Sequence, residues 1–154
     1  MGEIDRIARL LNKTFNKGAW YGPTVREVLA QVTPELAHVR AGKTHSIVEL
    51  VLHMTAWRKF AASRLSGNND FQVSEQANFP SAKSISWEQA VQDLETSQKN
   101  LEEAVSNFEE AKLGDLVPAT SHKYTYYTLL HGIIHHDIYH AGQIQLLIRA
   151  NPGQ

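Results

Sequence analysis

Apolar residues recur along this chain at steps of three and four, and no stretch alternates with period two. Over residues 3–17, Ile4, Ile7, Ala8, Leu10, Leu11 and Phe15 share helical spacing, with Asp5, Arg6, Lys13 and Lys17 between them. That pattern predicts an amphipathic helix ending near Gly18. Ala19-Trp20-Tyr21-Gly22-Pro23 reads as a turn-rich connector, and Thr24 as the N-cap of a short helix through Val32. Thr33-Pro34-Glu35 starts a further turn, and Ala41-Gly42-Lys43 breaks the chain again. A long helix then runs from Thr44 or Ser46 to about Leu65, with Ile47, Leu50, Val51, Met54, Trp57, Phe60, Ala61 and Leu65 as its apolar positions. Ser66–Asp70 has the composition of a turn, and Phe71–Ile85 is irregular and polar with Pro80 inside it. This segment reads as a surface crossover, long for a compact domain and therefore a candidate for function.

Ser86-Trp87-Glu88-Gln89 has the form of a capping box. The helix behind it carries Trp87, Ala90, Val91, Leu94, Leu101, Ala104, Val105 and Phe108, and stops before Gly114. After a loop over Asp115–Lys123, the last helix spans about Tyr124 to Arg149, with Asn151-Pro152-Gly153 as its stop. Four long amphipathic segments without a strand pattern predict an all-α fold. The expected architecture is a four-helix bundle with a short extra helix between the first and second long helices. No linker or internal repeat divides the chain, so residues 1–154 are expected to form a single domain.

The last helix carries an anomaly on its apolar stripe. Leu129, Ile133, His136, His140, Ile144 and Leu147 follow one another at steps of three and four, so two histidines occupy core-facing positions. His131 and His135 form a second pair, about 100° around the helix and expected to be exposed or at an interface. Buried imidazole nitrogens need partners, and two histidines at i and i+4 can share one cation. His53 lies three residues after Leu50 and four before Trp57, on the inward half of the second long helix. In a bundle, sites are built from inward side chains on facing helices, which makes His53 the natural third ligand. His38, His45 and His122 fall near helix ends or loops and receive no role. Asp137 is either an outer acceptor for an imidazole or a charge on the helix surface. Gln143 could touch a coordinated water or bond across a helix seam. Glu49 is an outer acceptor, a general base or a solvated position. Trp57, Tyr126, Tyr127 and Tyr139 read as core or as pocket walls.

Composition narrows the chemistry. With 15 Lys plus Arg against 16 Asp plus Glu, the net charge is -1, which offers no general attraction for nucleic acid or an anionic membrane. There is no cysteine, so thiolate ligation, disulfides and cysteine nucleophiles are all excluded. The amphipathic, mixed-charge start at Met1–Trp20 is unlike a signal peptide, and no apolar run is long enough to span a bilayer. A cytoplasmic protein acting on a small molecule is expected.

Two segments carry a resemblance. Ile47–Trp57 (IVELVLHMTAW) and His136–Ile144 (HDIYHAGQI) resemble the two signatures of the DinB/YfiT-like superfamily, and Ala19–Thr24 and Arg64–Gly67 are similar to it as well. The resemblance covers most of the chain apart from residues 68–82 and the charged face of the third long helix. It implies a four-helix bundle, a homodimer, and a metal held by one histidine on the second long helix and an H-x-x-x-H on the last. Here those positions are His53, His136 and His140. It further implies thiol-dependent chemistry. Characterised relatives transfer low-molecular-weight thiols such as bacillithiol, and one group isomerises maleylpyruvate with mycothiol.

Three imidazoles leave the charge of a divalent ion uncompensated and one coordination position open, as in catalytic zinc sites. Zinc and nickel suit imidazole best, with iron and manganese also open. The expected function is therefore a metal-dependent thiol transferase or hydrolase, using a low-molecular-weight thiol in the first case. The alternatives are a non-enzymatic metal- or ligand-binding bundle of a stress response, and a structural bundle whose histidines pair only with carboxylates and water.

Overall fold

The computed structural model of the chain describes residues 1–151, so the Pro152-Gly153 part of the predicted helix stop lies outside the described residues. The helices are α1 (Glu3–Phe15), α2 (Val25–Leu29), α3 (Pro34–Ala37), α4 (Ile47–Leu65), α5 (Glu75–Asn78), α6 (Trp87–Ser106) and α7 (Tyr126–Ala150). Among the described residues there is no strand, only an isolated bridge between Leu116 and Thr125. The four-helix-bundle expectation holds, with one correction. Two short helices, α2 and α3, lie between the first two long ones, and a third, α5, sits in the crossover. The predicted short helix to Val32 stops at Leu29, because Pro34 opens a separate turn capped by Thr33.

Hydroxyl side chains fix where these helices begin. Thr24, Thr33, Ser46, Ser74, Ser86 and Thr125 each accept a backbone N–H of the first turn, a contact that stabilises a helix by about 1 kcal/mol. The capping box predicted at Ser86 forms only by half. Ser86 accepts from the Gln89 N–H, but the Gln89 amide turns outward to Asp93. The third long helix ends at Ser106, before the predicted Phe108.

Two apolar clusters define how the long helices run. One gathers Val48, Val51 and Met54 of α4 with Ala90 and Leu94 of α6 and Ala141 and Ile144 of α7. The other gathers Phe60 and Ala61 with Leu101 and Val105, and with Leu129, Leu130, Ile133 and Ile134. Therefore α4 and α6 run parallel and α7 runs against them. Ile7 and Leu11 belong to the second cluster and Phe15 to the first, so α1 runs with α7. Around the bundle, α4 packs on α6 and α7, and α1 packs on the same two helices. Because α4 and α6 are parallel, residues 66–86 must travel back along the bundle, a helix of 20 residues being about 30 Å long.

A polar layer separates the clusters. Arg58 and Asp137 are completely buried and joined at 2.6 Å, α4 to α7. The Arg58 Nε donates to Gln98, whose amide donates to Glu102, which also accepts from Asn12. The Arg58 guanidinium lies over the Phe15 ring, 5.0 Å from its centroid. One chain of contacts thus touches all four long helices and sets their relative register.

Candidate metal centre

His53 and the pair His136 and His140 come from antiparallel neighbours and meet at this same level. The His136 Nε2 lies 2.9 Å from the His53 Nε2 and 3.0 Å from the His140 Nε2. All three ligand atoms lie within 4.8 Å of one another, the one such histidine or carboxylate group of three among the described residues. Two nitrogens bound to one tetrahedral zinc at 2.0–2.1 Å would be about 3.3 Å apart, so His136 stands within roughly 0.4 Å of that spacing from each of the other two.

The far nitrogens decide which atoms face inward. The His53 Nδ1 lies 2.6 Å from the Asn78 carbonyl oxygen, which can only accept, so Nδ1 carries the proton and Nε2 presents a lone pair. The His140 Nδ1 likewise donates to the Gln143 side-chain oxygen at 2.6 Å, and the Gln143 amide nitrogen donates in turn to the Tyr139 hydroxyl. Two lone pairs therefore point at His136. If its Nε2 carries a proton, it serves one of them well and strands the other. If not, three lone pairs converge. The His136 Nδ1 is itself buried without a partner in the chain. A cation satisfies all three inward nitrogens at once, whichever tautomer His136 begins in, so the donor set fits a divalent metal.

Electrostatics keep the ligands ready. Burial drives His136 down to about 3, helped by the charge it would feel from His140, His53 and Arg58. Burial lowers His140 to about 4 against the bond to Gln143. Burial also lowers His53, opposed by its bond to Asn78. All three imidazoles are neutral at pH 7, the form that binds metal.

The crossover contributes more to the site than its composition suggests. Besides the Asn78 carbonyl, the Asn78 side chain accepts from the Trp57 indole N–H. Phe79 stacks flat between His45, at 3.8 Å, and His53, at 4.2 Å. His45, given no role above, thus closes one side of the site. Asp137 is not a surface charge and touches no imidazole: it neutralises Arg58. Burial raises its carboxyl to about 6 against the pull of that guanidinium. Glu49 neither faces His53 nor lies in solvent. It is buried, accepts from the Ser46 N–H and hydroxyl, and pairs with Arg40. Gln143 takes the outer position on His140. Tyr127 and Tyr139 are exposed rather than core. His131 turns to the Tyr127 carbonyl, and neither it nor His135 joins the cluster. His38 and His122 are exposed and distant from it in role.

A helical bundle with this histidine set defines a class of protein, and the comparisons agree. The family model described as the DinB superfamily matches residues 22–144. The chain belongs to the DinB superfamily. The crystal structure of a DinB-like protein from Bacillus subtilis (YjoA) is similar in fold, with a TM-score of 0.69 at 19% identity over 94% of this chain and 90% of that one. No curated protein matches the chain. Among the described residues, no helix is long and apolar enough to cross a membrane.

Proposed function

We propose that this protein is a metal-dependent enzyme that activates a thiol, or water, for attack on a small electrophilic substrate. The observation that carries this reading is the convergence of three neutral imidazole nitrogens with two of the rings locked from behind. His53, His136 and His140 would hold a divalent ion, zinc or nickel by ligand type. When bound, the ion would supply Lewis acidity and favour the ionised form of a thiol or water beside it. The chain's own residues set the conditions for that. The Asn78 carbonyl and Gln143 fix ring orientation. Phe79 and Trp57 exclude water from two sides of His53. No carboxylate joins the group, so the site keeps its full positive charge for an anionic nucleophile. With no cysteine in the chain, the thiol must come from a second small molecule.

The test is a screen of the zinc- and nickel-loaded protein with low-molecular-weight thiols and an aryl halide, and with an activated ester for the hydrolytic branch. A metal-dependent acceleration that His136→Ala abolishes supports the reading. Metal bound with no acceleration by any pair would leave a metal-binding bundle that is not an enzyme of this kind.

A further inference from the structure

A groove of about 320 Å³ opens beside one of the three histidines, lined by Trp57, Tyr124, Thr128, Leu129, Gly132, Ile133 and His136. We propose that this groove holds an uncharged aryl or branched alkyl group of the substrate; the proposal rests on the metal-centre reading given above. The lining contains no Asp, Glu, Lys or Arg. Of the two fully buried guanidiniums on α4, Arg58 is neutralised by Asp137, and Arg64 donates to the Asn68 and Ala119 carbonyls. The Trp57 N–H is spent on Asn78 and the Thr128 hydroxyl pairs with that of Thr125, so the wall offers mainly ring faces and aliphatic carbon. A charged group entering would lose water and gain no partner, whereas an apolar one gains contact. The space is ample, since an apolar cavity of about 150 Å³ already takes benzene.

Gly132 is the residue that makes the groove. It sits inside the 25-residue helix α7, where glycine is less favourable than alanine by about 0.5–1 kcal/mol. Neither backbone nor packing requires it: Gly132 is not among the residues of positive φ, and a Cβ built there meets nothing within 4 Å. It lies one turn before His136, whose side chain leans back toward the turn that holds Gly132. A side chain at 132 would therefore occupy the approach to His136. What its absence provides is depth next to a ligand.

The experiment uses 2-naphthylmethanol as an uncharged aryl probe and 2-naphthoate as its anionic counterpart, titrated by calorimetry into the full chain with and without zinc. Naphthylmethanol binds both forms, and naphthoate binds the metal-free form at least tenfold more weakly. Gly132→Leu weakens naphthylmethanol at least tenfold while zinc per chain is unchanged. Should that variant not fold, Thr128→Leu fills the same groove from its rim. Zinc bound with no naphthylmethanol binding at millimolar concentration, including the case of a second copy covering the groove, overturns the inference alone. So does binding that neither variant disturbs, or equal affinity for the two probes. Probe binding that responds to the variants in a chain that takes up no zinc would instead sink the metal centre and leave the groove as a binding site.

Discussion

Replacing Asp137 by leucine separates the two kinds of burial in this bundle. The Arg58 guanidinium has no exposed surface. Its polar contacts are Gln98 at 3.0 Å, the Met54 carbonyl at 3.3 Å and Asp137 at 2.6 Å, of which Asp137 alone is charged. Asp137→Leu leaves a buried cation with two neutral acceptors, a change that destabilises by about 3–5 kcal/mol. For a chain of this size, each kcal/mol moves Tm by about 2–4 °C, so the midpoint should fall by roughly 6–20 °C. The double variant Arg58→Met, Asp137→Leu removes both charges and replaces them with apolar groups. It should recover most of that loss and end within about 1 kcal/mol of the parent or above it. Urea unfolding, followed by circular dichroism, reads both. A loss below about 1 kcal/mol in the single variant, or a double variant worse than the single, would refute the assignment of Arg58 and Asp137 as a mutually compensating buried pair.

Other consequences can be measured on the same protein. Because burial holds His136 at about 3 and His140 at about 4, below the ordinary 6.5, the unfolded chain binds more protons across that window. Their contribution to the stability of the metal-free protein is therefore full above about pH 6.5 and falls as the pH drops toward the folded values; Asp137, raised to about 6, opposes it in part, and urea midpoints at several pH values should show a net fall. For the same reason, zinc affinity should stay nearly level from pH 7 down to about 5, where free imidazoles would already compete with protons; a steep loss near pH 6.5 would contradict it. Gln143→Leu removes the acceptor behind His140 and should weaken zinc binding about 10–100-fold in a chelator competition. Gly132→Ala meets open space and should stabilise the helix by about 0.5–1 kcal/mol in thermal unfolding.

Much of this was legible because it is periodic. Steps of three and four place His136 and His140 on the stripe that continues through Ile144, and the spacing from Leu50 turns His53 inward. The same test applied to charged residues finds the buried pair. Asp137 falls three after Ile134 and four before Ala141, and Arg58 four after Met54 and three before Ala61, all core positions. Charges on two facing core stripes mark a pair, although Arg64 of α4 is buried as well; the place of Asp137 beside His136 on the chain points instead to an imidazole acceptor or a surface charge. Glu49 failed differently: a capping partner is buried by its own cap, and its distance of four from His53 misled. Asn78 and Phe79 had no local signal at all. They reach the site because the parallel course of α4 and α6 forces the crossover back past His53, and that direction is a property of the packed clusters rather than of any segment.

The central claim is that three histidines hold one metal ion. Elemental analysis of protein purified without an affinity tag, beside the triple variant His53→Ala, His136→Ala, His140→Ala, tests it most directly. The account predicts about one divalent ion per chain, as expected for one three-histidine site, lost in the variant while the helical circular dichroism persists. A native protein that carries no metal, and takes up neither zinc nor nickel on incubation, would contradict it.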